Sequence, residues 1–270
     1  MRSIAIMNQK GGVGKTTTAV NVCAALAATG QRVCLIDLDP QAHASLHFGF
    51  EPRPETRSIY DVLVNDVPLA EVRRQLADDL WLVPSHLDLA AAEVELAGVV
   101  GREVILRDKF REDDQAFDYL FVDCPPSLGI LTLNALAAVE EVFLPLQPHF
   151  LALHGLSKLL ETIDLVARRL NNRLQLSGVI FCMFDGGTRL ASEVSEDVDE
   201  FFRKARGQQT PWAGAQTFQT RIRRNIRLAE APSHGQSIFQ YAPSSNGAED
   251  YRQLAREILA GPAGGPSSPG

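Results

Sequence analysis

The sequence predicts an α/β fold with a doubly wound, mostly parallel sheet flanked by helices. Three observations lead to this fold class: strand-like and helix-like segments alternate, several strand-like segments are continuous apolar runs, and polar motifs follow where such strands end. Apolar runs of this kind suit strands that are buried on both faces, and the intervening helices imply parallel strands. The predicted strands are Ile4–Met7, Arg32–Asp37, Leu80–Val83, Tyr119–Asp123, Glu141–Leu146 and Leu176–Met183.

The first polar motif is the glycine-rich segment 10–17, which reads KGGVGKTT and precedes a helix-like segment, Thr18–Ala28. Glycines accept the backbone angles that point consecutive N–H groups at one anion, and the helix adds the positive end of its dipole. A lysine and a threonine at this spacing reach the β/γ-phosphates and coordinate Mg²⁺. The motif therefore predicts a nucleotide triphosphate site made by Lys10, Gly11, Gly12, Val13, Gly14, Lys15, Thr16 and Thr17.

The second and third motifs are carboxylates that follow apolar strands. Asp37 and Asp39 end the second predicted strand, and Asp123 ends the fourth. We expect Asp39 to orient or deprotonate the water that attacks the γ-phosphate, and Asp37 to support either the Mg²⁺ shell or the switch geometry. Asp123 is expected to hold water ligands of the metal. The predicted metal residues are Thr16, Asp37 and Asp123.

Composition limits the remaining possibilities. The 270 residues carry a net charge of −7, and the 45% hydrophobic content suffices for a core. No apolar stretch approaches the roughly 20 residues of a membrane span, and Met1–Ser3 leaves no room for a signal peptide, so a cytoplasmic protein without a membrane partner is expected. The four cysteines lack metal-ligand spacing and are expected to be buried thiols. We expect residues 1–260 to form a single domain and residues 261–270 a disordered Gly/Pro/Ser tail.

Charge is segregated along the second half of the chain. The segment 201–229 contains no Asp or Glu, whereas an acidic block lies just upstream. Such segregation marks a candidate interaction surface, although a solvated helix face is the usual alternative. We call the four central cations the arginine patch: Arg221, Arg223, Arg224 and Arg227.

The glycine-rich segment departs from the general phosphate-loop pattern, which has Gly where this chain has Gln9, and it carries an additional Lys10. It thereby resembles the deviant Walker A box of the ParA/MinD group of P-loop ATPases. Four further matches resemble the ParA partitioning ATPases and extend the likeness over residues 4–259. They are DLDPQ at 37–41, DCPPSLGILTLNAL at 123–136, RLAEAPSHG at 227–235 and GAEDY at 247–251.

The resemblance implies an ATPase that uses ATP and Mg²⁺, with slow, partner-stimulated hydrolysis. In that family two ATP-bound protomers form a homodimer, in which each Lys10 would reach the other's phosphates. The implied catalytic residues are Lys10, Lys15 and Asp39. The dimer would bind non-specific DNA through the arginine patch and segregate chromosome or plasmid DNA with a ParB-like protein, on the nucleoid.

Several alternatives share the nucleotide motifs. A ParA-like ATPase can instead position another cargo, such as a polar or chemoreceptor cluster. A MinD-type ATPase requires an amphipathic C-terminal helix for the membrane, and a nitrogenase iron-protein relative requires cysteines that bridge a cluster. The chain also departs from the ParA pattern, since Ala42 and His43 stand where relatives usually have Gly-Asn.

Overall fold

One eight-stranded sheet runs through the part of the protein that the computed structural model describes, residues 1–53, 55–149 and 154–261. Its spatial order is β3-β4-β2-β5-β1-β6-β7-β8, and all neighbours are parallel except β3 and β4. The predicted fold class is confirmed. The strands are β1 Arg2–Ile6, β2 Val33–Asp37, β3 Arg74–Ala77, β4 Leu80–Val83, β5 Tyr119–Asp123, β6 Glu141–Leu146, β7 Gln175–Phe181 and β8 Gln216–Thr217.

The two outermost strands, β3 and β8, were not among the predicted strands. β3 alternates half-buried and exposed residues and pairs antiparallel with β4, whereas β8 has only two residues. Edge strands are buried on one face at most and are often short, so they lack the apolar runs that reveal the central strands.

Helices cover both faces of the sheet, because successive strand residues point to opposite sides. In β2, for example, Cys34 and Ile36 face one apolar cluster, and Val33 and Leu35 face the other. The helices are α1 Lys15–Ala27, α2 His43–His47, α3 Ile59–Val64, α4 Leu69–Val72, α5 Ala92–Glu95, α6 Ile105–Glu112, α7 Ile130–Ala138, α8 His154–Arg169, α9 Arg189–Ala205, α10 Ile226–Glu230, α11 Ile238–Tyr241 and α12 Asn246–Ala260.

The last helix, α12, uses its apolar face for internal packing. Tyr251, Leu254 and Ile258 are buried in the same cluster as the apolar side of α1. That face is therefore covered by protein. None of the helices within the described ranges has the length and apolar character needed to cross a membrane. Of the predicted tail at residues 261–270, everything after Gly261 lies outside the described residues.

The parallel arrangement brings the three polar motifs to one edge of the sheet. β5 lies between β1 and β2, so that Asp123 is level with Ile6 on one side and with Asp37 on the other. In open α/β sheets, ligands bind at the carboxyl ends of the strands. The glycine-rich segment and the two carboxylate motifs therefore meet at the position where such a fold binds its ligand.

Candidate nucleotide-binding site

The loop between β1 and α1 has the geometry of an anion cradle. Gly12 and Gly14 have φ angles of +72° and +97°, values that suit glycine, and Gly11 and Gly12 face open space. The helix α1 begins at Lys15 with no side-chain cap and no acidic residue in its first turn. Its first N–H groups and its dipole are thus available to an anion such as a phosphate.

Lys15 lies inside this cradle. Only 8% of the residue is exposed, and its Nζ donates a hydrogen bond of 3.2 Å to the carbonyl of Lys10. Burial lowers the pKa of Lys15, while the nearby Asp123 and Asp39 act in the opposite direction. The ammonium is therefore held beside carboxylates at the point where phosphates would enter.

Asp123 is buried without a hydrogen-bond partner. Neither of its carboxylate oxygens accepts a hydrogen bond from the described residues. Burial raises the pKa of Asp123 well above its ordinary value, and Asp37 raises it further, whereas the neighbouring Thr16 and Lys15 side chains oppose this shift. A buried carboxylate without partners costs free energy unless a cation or donor compensates it.

This arrangement fits Mg²⁺ that is held mainly by phosphates and water. Oxygen ligands from a hydroxyl and a carboxylate suit this ion, which normally retains several waters. Thr16 at the start of α1 and Asp123 supply such oxygens. Among the described residues no cluster of three or more His, Cys, Asp or Glu could hold a metal alone. Mg²⁺ would therefore bind here together with the nucleotide.

Asp37 already has its partners within the protein. Its Oδ2 accepts hydrogen bonds from the Ser45 N–H at 2.8 Å and the Ser45 hydroxyl at 2.7 Å, and its Oδ1 accepts one from the Asp39 N–H at 3.3 Å. Burial raises the pKa of Asp37 to about 6, and the Ser45 bonds oppose this rise. Of the two roles that the sequence allows, these contacts favour support of the switch geometry over a place in the metal shell.

Ser45 was not a predicted site residue. It lies on α2 and also accepts a hydrogen bond from the Ser85 N–H at 3.0 Å, so it links the ends of β2 and β4. A serine eight residues after an aspartate carries no spacing signal of its own. Only the packing of α2 over the strand ends reveals it.

Lys10 lies at the mouth of the cradle with its side chain exposed. Its Nζ is 2.5 Å from Nε2 of His149, in the segment after β6. Its backbone N–H donates to Asn8 Oδ1 at 3.0 Å, so the loop turns sharply before the first glycine. The two lysines of the motif thus occupy different environments, one buried among carboxylates and one at the surface.

The residues around the end of β7 come together beside the cradle, where segments 179–184 and 222–225 are joined by backbone hydrogen bonds. The Ile222 N–H donates to the Phe181 carbonyl at 2.8 Å, and the Phe184 N–H donates to the Ile222 carbonyl at 2.9 Å. Cys182 approaches Gly14, where an added Cβ would meet it at 3.4 Å. Gly14 is thus restricted by its backbone angle, whereas an added Cβ would make only ordinary van der Waals contact with Cys182.

The arginine patch is less available than its sequence indicates. The segment itself lacks acids, but Arg223 forms a two-pronged ion pair with Asp250 of α12, and Arg227 pairs with Glu230 at 2.8 Å. The fold therefore supplies carboxylate partners that the segment 201–229 itself lacks, one from α12 and one from the last residue of α10.

The other two arginines of the patch differ from each other. Arg221 is half-buried, with its guanidinium carbon 4.5 Å from the centre of the Phe181 ring, and burial lowers its pKa. It also donates to the Phe218 carbonyl. Arg224 is exposed, and its side chain has no hydrogen-bond or ion-pair partner among the described residues. Arg224 is thus the member of the patch that is most available to a phosphate.

Ala42 occupies a backbone conformation that favours glycine. Its φ and ψ are 53° and 30°, and it precedes α2, which carries Ser45. We expect Ala42→Gly to raise the free energy of unfolding by about 0.5–1 kcal/mol, because relief of left-handed strain exceeds the entropic cost of glycine. Ala44→Gly, within α2, is the matched control and should be destabilising. Denaturant unfolding measures both, and a loss of stability in Ala42→Gly would contradict the strain.

The fold and the site define a P-loop nucleotide-binding ATPase. A family model described as an AAA domain (AAA_31) matches residues 1–176. Soj of Bacillus subtilis is 44% identical over 95% of this chain and 98% of its own. ParA of Myxococcus xanthus is 44% identical over 96% and 88%, and Soj of Thermus thermophilus is 45% identical over 96% of both chains. The chain therefore belongs to the ParA/Soj family of chromosome-partitioning ATPases, which confirms the predicted family.

Solved structures agree on the fold. A cobyrinic acid a,c-diamide synthase from Mycobacterium smegmatis, with bound ATP analogue and magnesium, has a TM-score of 0.79 and 34% identity over 96% of this chain and 94% of its own. The name of that protein refers to another reaction, and its identity is below that of the Soj and ParA relatives. The ATP complex of an McdA variant from Cyanothece has a TM-score of 0.82 at 22% identity over 96% of both chains, which supports the fold alone.

Proposed function

We propose that this protein is an ATP-driven dimerisation switch that segregates chromosome or plasmid DNA. ATP and Mg²⁺ bind at the cradle, two protomers join, and the dimer binds DNA without sequence preference on the nucleoid, in the cytoplasm. A ParB-like partner stimulates hydrolysis and returns the protein to single protomers. The observation that carries the proposal is the contrast between Lys15, buried at the phosphate position, and Lys10, exposed at the mouth of the same loop.

Each residue has a defined part in this proposal. The N–H groups at Gly12 to Thr16 surround the phosphates, and Lys15 neutralises their charge. Mg²⁺, held by Thr16 and through water by Asp123, would stabilise the charge that develops on the phosphates. Asp39 orients the attacking water. Lys10 of one protomer reaches the nucleotide of the other, as an arginine supplied in trans does in other phosphoryl-transfer enzymes.

The proposed DNA surface centres on Arg224, with the other members of the arginine patch around it. A dimer presents two copies of this surface, and clustered cations bind DNA mainly by releasing counterions from its phosphates. Arg223 and Arg227 use some of their N–H donors in ion pairs with Asp250 and Glu230, so each contributes less than Arg224 to the free energy of DNA binding. Arg223 also neutralises the buried Asp250, so its replacement would disturb the fold as well as the surface.

The test of the DNA surface is therefore Arg224→Glu. We expect this change to weaken ATP-dependent DNA binding about tenfold or more. The decrease of log affinity with log salt should become shallower by about two, one for each protomer. Arg111→Glu, at another exposed arginine on α6, is the matched control. Fluorescence anisotropy with a DNA duplex over a salt series measures both quantities. Equal effects of the two variants would contradict a DNA surface at Arg224.

The proposed function and its nearest alternative, the positioning of another cargo over the nucleoid, differ only in the cargo. A purified ParB-like protein should stimulate hydrolysis if the cargo is chromosome or plasmid DNA. DNA binding without any response to a ParB-like protein would instead favour another cargo that is positioned over the nucleoid.

A further inference from the structure

The side chain of Lys10 is held within its own protomer by His149. The Lys10 Nζ and the His149 Nε2 are 2.5 Å apart, although the two residues are 139 positions apart in the chain. An ammonium group only donates hydrogen bonds, so Nε2 must be the acceptor, and the imidazole must be neutral with its proton on Nδ1. Burial and the neighbouring Lys10 both lower the pKa of His149, which favours the same neutral form.

Hydrogen bonds around this pair hold the start of the cradle close to the end of β6. The Asn8 side chain accepts from the Lys10 N–H at 3.0 Å and donates to the Pro145 carbonyl of β6 at 2.8 Å. The Lys10 carbonyl accepts a hydrogen bond from Lys15 at 3.2 Å. The start of the cradle and the end of β6 are thus fixed to each other, and His149 follows three residues after β6. Movement of Lys10 to another partner therefore requires rotation of its side chain away from His149.

The pair borders a cavity of about 380 Å³ beside the cradle. Much of its wall is apolar, with Leu144 and Leu146 from β6 and Leu156 and Leu159 from α8. Such a wall offers an ammonium group no hydrogen-bond acceptor, and desolvation of the group without an acceptor costs free energy. His149 supplies that acceptor at the rim.

We propose that His149 is a positioning residue that retains Lys10 within its own protomer and so opposes ATP-dependent dimerisation. The inference rests on the proposed function, in which Lys10 acts on the nucleotide of the partner. Lys10 must give up its contact with His149 before it reaches the partner's phosphates. The contact therefore adds a free-energy cost to dimerisation. Only a partner with bound nucleotide, whose phosphates are strongly charged, draws Lys10 away from His149.

The first test is dimerisation in the presence of the non-hydrolysable ATP analogue AMPPNP, measured by analytical ultracentrifugation. We expect His149→Ala to lower the dimer dissociation constant about ten- to a hundredfold, because both protomers lose the contact and each exposed hydrogen bond contributes about three- to tenfold. His149→Gln retains a side-chain acceptor and should restore a value near that of the wild type. A dissociation constant that is unchanged or raised in His149→Ala would overturn the inference.

The second test is made on the free protein and does not depend on dimerisation. The pKa of His149, followed through its imidazole C–H signal by NMR, should rise when Lys10 is replaced by alanine, because a neighbouring positive charge is removed. An unchanged pKa would show that the contact is absent and overturn the inference alone. Lys10→Ala that still dimerises like the wild type with AMPPNP would overturn the proposed function, and the inference with it.

Discussion

Replacement of Asp39 by alanine is expected to slow ATP hydrolysis about 100-fold or more while ATP binding stays within about twofold, because a positioned base or water-orienting group contributes factors of this size. The backbone around Asp39 is fixed, since the Asp37 carboxylate accepts from its N–H and its own carbonyl accepts from the Ala42 N–H at 2.9 Å. One carboxylate oxygen accepts from the Gln41 N–H at 2.9 Å, which leaves the other for water.

The measurements for Asp39→Ala are phosphate release and equilibrium binding of ATP. Asp78→Ala is the control, since Asp78 is exposed at the turn between β3 and β4, at the opposite ends of the strands from the site. Equal losses of binding and hydrolysis in Asp39→Ala would contradict the assigned role, because they would show that Asp39 holds the nucleotide or its metal and does not act on water.

Replacement of Asp123 by asparagine is expected to have opposite effects on stability and on activity. The free protein should gain about 1–3 kcal/mol in free energy of unfolding at neutral pH, because a buried carboxylate without hydrogen bonds is removed. Hydrolysis in the presence of Mg²⁺ should fall about 100-fold or more, because the metal and its waters lose a charged ligand. Chemical denaturation and phosphate release measure the two effects.

The stability gain should depend on pH in a defined direction. Because the pKa of Asp123 is raised in the folded protein, the folded state binds more protons than the unfolded state, and the wild type loses stability as pH rises toward the folded pKa. The advantage of Asp123→Asn should therefore be largest at neutral pH and shrink in acid. Asp250→Asn is the matched control, because Asp250 is buried but paired with Arg223, and it should lose stability. A loss of stability in both variants would contradict the account of Asp123.

Those parts of the site that depend on local sequence could be predicted. The cradle needs glycines and a lysine at fixed spacing between a strand and a helix, and all of these lie within residues 4–28. The approach of Asp123 to Asp37 could also be predicted, because the carboxyl ends of parallel strands share one edge of the sheet. These features follow from periodicity and strand direction alone.

Contacts between distant parts of the chain could not be predicted. The pairing of Arg223 with Asp250 spans 27 positions, and that of Lys10 with His149 spans 139. Neither pairing has a spacing rule, since each depends on how α12 and the segment after β6 pack against the sheet. The arginine patch shows the consequence, because a run without acids in sequence still acquires carboxylate partners in space.

The central claim, that Lys10 acts on the nucleotide of the partner, is tested most directly by mixing two inactive variants. Lys10→Ala protomers keep Asp39 but supply no lysine, and Asp39→Ala protomers supply the lysine but cannot turn over ATP. Each mixed dimer then contains one complete site, so an equimolar mixture should recover up to about a quarter of the wild-type hydrolysis rate, the value reached when the protomers pair at random and half of the dimers have one of two sites. A mixture that forms mixed dimers in analytical ultracentrifugation but stays as inactive as its components would show that Lys10 acts within its own protomer and would contradict the claim.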